Sequence, residues 1–367
     1  MVELEYKPQV AQDEAQRRLA QVHRQAWMSP QVVFDDVMQK VYAAPEGYVL
    51  VDPFVLHDGR QWHLFYVTGR IEHLEAWREA LRNGDDEALA ASSYEGGEAH
   101  AVGPSLFELK YAGDIYAEAA GAHESGGRLD SCIIRFGDRW LDLYTGKGPR
   151  DRCLCLAYSD DLTDWQRDSA NPAWTMPDYG LPGGKCSGAW IVPLGERYLV
   201  YYMLTLGEGA CAIGLLSTDD FHRFDDHGPV IKMPASLRGT QNIESPTVLH
   251  RDGLWHLFFG WGEGWWHALS ARPDRFMDGA TLHTDTMAGV YCMGPFHACR
   301  LFHDPAGCWY MVSTRKEEAR RLSRQQGNGV MRGSIEDERF LLDGLYLCAI
   351  DWQGDLPVPI RIPPDNV

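Results

Sequence analysis

The sequence predicts an all-β fold, a five-bladed β-propeller with N-terminal helices and a helical insertion in the first blade. Three observations support this prediction. The 367-residue chain contains 13 Trp, 16 Tyr, 37 Gly and 20 Pro, a composition that favours short strands joined by tight turns. One hairpin pattern occurs five times. The last four copies start about 55 residues apart, which is the length of one four-stranded propeller blade.

Each copy of the hairpin has a small or acidic residue at its head, followed by an apolar strand, a turn rich in Asp, Gly or Pro, and a second strand led by an aromatic residue. The five heads are Asp52, Asp130, Ser187, Glu244 and His297. The second strand opens with a tryptophan in four copies, and this fixed place assigns those tryptophans to the core. They are Trp62, Trp140, Trp255 and Trp309.

Third strands are predicted in the segments 155–168, 213–226 and 267–279, with a fourth strand after each. Five such units closed in a ring form a propeller over residues 46–367, and closure leaves only short, protected strand edges. Residues 1–45 are predicted to be a helical extension. It is expected either to pack against the side of the propeller or to join subunits of a homo-oligomer.

The interval between the first two heads is longer than the others and predicts an insertion over about residues 70–128. Within it, the segment 71–93 has apolar residues near helical spacing and predicts one or two helices. The proline-rich tail, 356–367, is expected to run extended along the surface or to complete a blade.

Charge and composition argue against several classes of partner. The formal net charge of −18 repels nucleic acid, and no apolar run approaches the roughly 18 residues that span a membrane. The N-terminus lacks the basic start and apolar core of a signal peptide. The nine cysteines include no CxxC pair, so reduced thiols in a cytoplasmic protein are expected.

The heads are the candidate functional residues. The innermost strands of a propeller run in the same direction around a central channel, so their starts meet at one mouth. A single Asp before Pro is typical of a turn, but Asp52, Asp130 and Glu244 recur at the heads of three blades. Three carboxylates in one pocket disfavour each other's ionisation and resist desolvation, so this arrangement indicates a function. Two facing carboxyls can cleave a glycosidic bond, and a third can tune them.

The motifs "VDPF" (51–54), "LDSC" (129–132) and "IESP" (243–246), with "LAYSDDLTDW" (156–165), resemble the five-bladed propeller glycoside hydrolases of family 43, which are related to families 32, 68, 117 and 130. The resemblance covers about residues 46–350. It implies that Asp52 is the general base, that Asp130 tunes pKa and position, and that Glu244 is the general acid of an inverting reaction. Ser131 stands where the usual second motif has Pro, and the Asn-Asp-Pro-Asn and Arg-Asp-Pro signatures of the fructosidases are not met.

Sugar pockets need an aromatic platform because the C–H face of a sugar ring is apolar. The candidates for substrate contact are Phe54, Trp190, Trp265, the two heads Ser187 and His297, and Arg315. The resemblance also implies that His297 binds a channel water or a calcium ion deep in the channel. No other cofactor is expected.

The predicted function is a glycoside hydrolase that removes a terminal sugar from a short oligosaccharide or glycoside. Two alternatives stay open on the same fold. One is a glycoside phosphorylase or transglycosidase, and a phosphorylase needs Arg, Lys and His beside the acids to hold phosphate. The other is a propeller recruited to sugar binding or to non-hydrolytic chemistry.

Overall fold

The computed structural model describes residues 2–28, 32–85, 88, 96–116, 121–148, 151–176, 185–206, 210–232, 243–261, 264–276, 287–293, 296–315 and 342–363. The chain begins with helix α1 (Gln12–Met28), the short helix α2 (Phe34–Val37) and strand β1 (Gln39–Ala43).

Five blades of antiparallel strands then follow one another, as the hairpin repeat predicts. The first blade consists of β2 (Tyr48–His57), β3 (Trp62–Arg70), β4 (Gly97–Gly103) and β5 (Lys110–Asp114). The second consists of β6 (Gly127–Leu129), β7 (Ile133–Phe136), β8 (Arg139–Lys147), β9 (Arg152–Ser159) and β10 (Gln166–Arg167). In this blade β6 and β7 together make the innermost strand, since both pair with β8.

The third blade consists of β11 (Lys185–Leu194), β12 (Arg197–Leu206), β13 (Ala210–Thr218) and β14 (Asp225–Lys232). The fourth consists of β15 (Ile243–Arg251), β16 (Leu254–Trp261), β17 (Gly264–Ser270) and β18 (Met287–Met293). The fifth consists of β19 (Phe296–His303), β20 (Trp309–Arg315), β21 (Gly344–Gln353) and β22 (Leu356–Ile360). The innermost strands β2, β11, β15 and β19 pack beside one another around the centre.

The ring is closed by the N-terminal part of the chain. Strand β1 pairs with β21 of the fifth blade from Gln39–Leu347 to Ala43–Gly344. Residues 1–45 are therefore not a purely helical extension, because their last strand belongs to the propeller. The alternation of buried and exposed residues in "QKVYA" fits a strand that lies at a blade edge. The tail strand β22 also pairs with β21, so it completes this blade.

Helix α1 packs against the propeller, which is one of the two arrangements expected for it. Ala15, Leu19 and Val22 are buried in a cluster with residues of the fourth and fifth blades, including Phe258 and Leu301. On the same face of the helix, Nε of Arg18 donates a hydrogen bond to Asp355 at 2.7 Å. The contact that the sequence analysis expected between subunits stays a prediction.

The insertion in the first blade is shorter than predicted. Helix α3 (Ile71–Asn83) lies between β3 and β4, but residues 97–114 form the third and fourth strands of the blade itself. Leu74 of α3 is 2% exposed and packs against Val51 and Leu129. These two residues directly precede Asp52 and Asp130, so the helix lies on the face of the propeller where those aspartates stand.

The structure describes the side chains of eight cysteines, and all eight are free thiols. The Sγ atoms of Cys153 and Cys155 lie 3.8 Å apart in a hydrogen bond and form no disulfide. Among the described helices, none has the length and apolarity needed to cross a membrane.

Candidate active site

Each innermost strand has a bulge near its start, where one residue adopts a left-handed backbone conformation. The pairing register of the strand shifts there in the first, third, fourth and fifth blades. The left-handed residues and their φ angles are Asp52 (46°), Asp130 (59°), Gly188 (63°), Ser245 (53°) and Ala298 (52°). The bulge is therefore a structural repeat at the start of all five innermost strands.

The bulge also corrects the prediction that the three acids share one repeat position. Asp52 and Asp130 occupy the left-handed position itself, whereas Glu244 precedes it by one residue, as Ser187 and His297 do. Glu244 is still paired with Gly260 in the strand ladder and the bulge begins at the next residue, so an acid at either position stands near the start of its strand. Aspartate is also one of the few non-glycine residues that readily adopt positive φ.

His297 joins two of the acids. Its Nε2 lies 3.3 Å from Oδ1 of Asp52, and its Nδ1 lies 3.5 Å from Oε1 of Glu244. The two carboxyls come from the first and fourth blades and face one imidazole ring of the fifth. With the width of the ring added, these two oxygens are at most about 9 Å apart, which lies within the separations of paired glycosidase carboxyls.

The three side chains differ in exposure. The Glu244 side chain is 37% exposed, whereas those of Asp52 and His297 are 14% and 12% exposed. Opposite Glu244 in the strand pair stands Gly260, and a Cβ added there would lie 3.4 Å from Cγ of Glu244. A larger residue at this position would press on the Glu244 side chain, so the glycine leaves room for it beside solvent.

Asp130 stands at the junction of the second and third blades and is 9% exposed. Oγ1 of Thr145 donates to Oδ2 of Asp130 at 3.4 Å and accepts the N–H of Gly188 at 3.1 Å. A Cβ at Gly188 would lie 3.8 Å from the same carboxylate oxygen. Thr145 thus ties Asp130 to the start of β11, next to Ser187.

Below the acids the channel is filled by Arg300, Trp190 and Phe54. Arg300 is 5% exposed, and its Nη1 donates to the carbonyl of Pro246 at 2.6 Å. Its guanidinium lies 5.5 Å from the centre of the Trp190 ring. That ring lies 6.0 Å from Phe54, and Trp190 Nε1 donates to the carbonyl of Val248 at 2.8 Å. Innermost strands of the first, third, fourth and fifth blades thus meet in one packed layer.

The residues around His297 do not fit a calcium ion. Calcium takes six to eight oxygen ligands, but both His297 ring nitrogens face carboxylates of the protein itself. The buried guanidinium of Arg300 also places a permanent positive charge in the channel, which repels a cation. The prediction that His297 binds a metal therefore finds no support in the residues present.

A second group of side chains with metal-binding atoms lies in the second blade, where His123, Glu124 and Cys155 have one such atom each within 4.8 Å of the others. The Glu124 carboxylate accepts hydrogen bonds from Tyr144 and from Nε of Arg167 at 3.2 Å. Its charge is therefore already compensated by the protein.

Three of the predicted substrate contacts differ from expectation. Trp265 is 2% exposed and stacks on Phe258 at 4.8 Å in the cluster that covers α1, so it is a core residue and cannot hold a sugar. Ser187 is 1% exposed and lies below the surface of the mouth. The guanidinium of Arg315 pairs through Nη1 with Asp35 of α2 at 2.9 Å, a contact that the sequence did not predict.

Phe54 and Trp190 are the aromatic candidates that lie near the mouth, on innermost strands. Phe54 is 8% exposed and Trp190 is partly buried, so the Trp190 ring is the more accessible of the two. Substrate contact by these residues stays a prediction.

Sequence reasoning missed four polar residues that support the site: Glu98, Asp142, Thr145 and Arg300. All four are buried, in strands that are otherwise mostly apolar. The available signal was a charged or hydroxyl side chain at a core position, as in "WLDLYT" (140–145), since such groups are seldom buried without a specific partner.

Solved structures show which known proteins share this fold. No protein-family model and no curated protein matches the chain. A thermostable family-43 glycoside hydrolase superposes with a TM-score of 0.58 at 13% identity, covering 88% of this chain and 97% of its own. An α-L-arabinanase from Cellvibrio cellulosa superposes with a TM-score of 0.59 at 13% identity, covering 85% and 95%.

A family-32 β-fructofuranosidase from Bombyx mori superposes with a TM-score of 0.59 at 13% identity, covering 95% of this chain and 70% of its own. The likeness to these three enzymes extends over most of the chain at low identity. The chain therefore has the fold of the five-bladed propeller glycoside hydrolases, as the motifs predict.

Proposed function

We propose that this chain is a glycoside hydrolase that removes a terminal sugar from a short oligosaccharide or glycoside with inversion of configuration. The observation that carries the proposal is the contact of His297 with both Asp52 and Glu244. It brings carboxyls from opposite parts of the sequence to one ring at the mouth. Stability alone gives no reason to collect these charges there.

In this proposal Asp52 acts as the general base. It takes a proton from a water molecule as the water attacks the anomeric carbon. Glu244, the more exposed acid, donates a proton to the departing glycosidic oxygen. Because the water attacks directly from the face opposite the leaving group, the product has the inverted anomeric configuration.

Asp130 has a supporting role in the proposal. Its negative charge favours the protonated form of a neighbouring acid and orients it. The fold agrees with this function, since the three structural neighbours described above have names of enzymes that act on glycosides.

The proposal is tested with a panel of aryl arabinofuranosides, xylosides, galactosides and fructosides. We expect the wild-type protein to release the aryl group from at least one of them, and we expect Glu244→Gln to slow release of a poorly leaving alcohol by about 10²- to 10⁴-fold. Asp219→Asn is the matched control, because it removes an exposed carboxylate that pairs with Arg197 on the outer part of the third blade.

Release by the wild type and by Asp219→Asn, but not by Glu244→Gln, supports the proposal. Equal activity of all three proteins on an aryl glycoside whose phenol is a poor leaving group contradicts it. Release that requires inorganic phosphate and yields a sugar 1-phosphate identifies a phosphorylase instead.

A further inference from the structure

Two buried acids contact the residue that follows Asp130 in the chain. Glu98, on β4 of the first blade, is 1% exposed, and Asp142, on β8 of the second, is fully buried. Both bind Ser131, the residue that follows Asp130. Oε1 of Glu98 accepts the Ser131 N–H at 2.8 Å, and Oδ2 of Asp142 accepts the Ser131 hydroxyl at 2.8 Å.

Ser131 is the position where this chain departs from the usual motif. In the first and fourth blades the residue after the left-handed position is a proline, Pro53 or Pro246. Proline has neither an N–H nor a hydroxyl group. In the second blade both donors are present and both are bonded to an acid, so Ser131 and the two acids form a unit that is particular to this blade.

The unit fixes the backbone around Asp130. The left-handed conformation of Asp130 persists only where neighbouring contacts hold it. Glu98 of the first blade accepts the N–H of Ser131, the residue after Asp130. The N–H and C=O groups of Cys132 exchange hydrogen bonds with Leu143 at 3.2 and 3.1 Å. The direction of the Asp130 side chain therefore depends on contacts made by Ser131.

The surroundings of Glu98 favour the neutral, protonated form of its carboxyl group. Burial, and then the neighbouring Asp142, raises the pKa of Glu98 well above its usual range. Burial also raises the pKa of Asp142 to about 6, although Tyr116 donates a hydrogen bond to it at 2.7 Å. Two full negative charges beside Asp130 would repel its carboxylate, whereas a neutral Glu98 supplies the same acceptor at lower cost.

We propose that Glu98 and Asp142 are positioning residues that act through Ser131 to hold the Asp130 carboxyl at the mouth of the propeller. This inference rests on the proposed function, because it assigns Asp130 its orientation in that site. The two acids are buried, and their hydrogen bonds to the backbone and hydroxyl of Ser131 are the route by which they act on Asp130.

The test uses four variants of the full chain. Ser131→Pro recreates the proline that follows the left-handed residue in the first and fourth blades, and it removes both donors. Glu98→Met removes the acceptor, while Glu98→Gln keeps a neutral acceptor of the same shape. Ser217→Ala is the control, because Ser217 is a fully buried serine of the third blade whose hydroxyl contacts a ring nitrogen of His227 at 2.8 Å.

On the best substrate of the panel, we expect Ser131→Pro and Glu98→Met to lower kcat by about 10- to 100-fold with little change in KM, since misplacing a side chain at a site costs rate more than binding. Glu98→Gln and Ser217→Ala should keep kcat within about threefold of the wild type. In an Asp130→Asn background, Glu98→Met should cost no further rate. Wild-type kcat in both Ser131→Pro and Glu98→Met, or an equal loss in Glu98→Gln and Glu98→Met, overturns the inference.

A second measurement does not depend on activity. The infrared carbonyl band of a protonated carboxyl at pH 7 should be present in the wild type and absent from Glu98→Gln. If no glycoside is cleaved, the proposed function fails while this band still tests the neutral Glu98. Activity on the panel without the band overturns the inference and leaves the proposed function standing.

Discussion

Nε2 of His297 lies 3.3 Å from Oδ1 of Asp52, although the two residues belong to the fifth and first blades. The same ring turns its other nitrogen to Glu244. Both nitrogens of an imidazole can donate hydrogen bonds only when the ring is protonated. The ring is thus placed to hold two carboxyls at a fixed separation across the mouth.

Asp52 and Glu244 should respond differently to the quality of the leaving group. Asp52→Asn removes the base and should lower kcat/KM by about 10²- to 10⁴-fold for every aryl glycoside. Glu244→Gln removes the proton donor, so its loss should shrink when the departing phenol is acidic and needs no proton. Rates measured across a series of substituted phenols check this difference. Parallel losses in the two variants would contradict the assigned roles.

Metal removal should leave the protein unchanged, because Arg300 supplies a positive charge in the channel. We expect EDTA to alter neither activity nor the melting temperature.

Arg300→Ala should lower the free energy of unfolding by about 2–4 kcal/mol, since it leaves the Pro246 carbonyl without its hydrogen-bond donor and opens a gap beside Trp190. Calorimetry of the wild type with and without EDTA checks the metal prediction, and calorimetry of Arg300→Ala checks the loss of stability. A rise in the melting temperature on adding calcium to the EDTA-treated wild type would contradict the first prediction, and an unchanged melting temperature of Arg300→Ala would contradict the second.

Two buried histidine pairs should make the fold sensitive to acid. Nδ1 of His63 lies 2.9 Å from Nε2 of His100, and the same atoms of His256 and His267 lie 3.0 Å apart. Burial lowers the pKa of His100 to about 4 and that of His256 to about 3. Between these values and about 6.5 the unfolded chain binds more protons than the folded one, so stability falls as the pH falls.

Each such histidine should cost about 2 kcal/mol of unfolding free energy between pH 7 and pH 5. Asp142 opposes this trend, because its raised pKa makes the folded chain bind more protons below pH 6. The comparison is therefore made between His256→Gln and His303→Gln, an exposed histidine. Denaturant titrations should show a smaller loss on acidification in the first variant only, and equal losses in both would contradict the assignment.

Trp265 should matter for stability and not for substrate. Trp265→Ala should lower the free energy of unfolding by about 3–5 kcal/mol, because it opens a cavity against Phe258 under helix α1. KM on the best glycoside should stay at the wild-type value. Thermal unfolding checks the expected loss of stability, and initial rates on the same preparation check the unchanged KM. A raised KM with unchanged stability would indicate that Trp265 contacts the sugar.

The five blades could be predicted because each repeats a strong local pattern of apolar strand, turn and aromatic residue. Strand β1 could not, because five residues with one buried position carry little periodic signal, and their partner β21 lies at the far end of the chain. Trp265 was misassigned for a related reason: "GWGEGWWHA" shows where tryptophans are dense, but only the pairing of β17 with β16 shows which of them face the core.

The position of the bulge affects the number of residues between the head of each hairpin and the aromatic residue of its second strand. Counted from the left-handed residue, the aromatic leader of the second strand comes ten positions later in four blades (52 to 62, 130 to 140, 188 to 198 and 245 to 255). Counted from Ser187 or Glu244, it comes one position later. The extra residue shows that Ser187 and Glu244 precede the bulge. It can be interpreted in this way only when the backbone conformation is known, because the sequence alone does not show which residue is left-handed. The acids behind Asp130 come from neighbouring blades, and no local pattern joins them.

The most direct test of the account is the configuration of the sugar at the moment of release. Proton NMR of the first product from the best aryl glycoside should show the inverted anomer, followed by slow mutarotation, and Asp52→Asn should abolish its appearance. Release of the retained anomer would make Asp52 a nucleophile, and release at the wild-type rate from Asp52→Asn would contradict the claim that Asp52 and Glu244 act on one substrate.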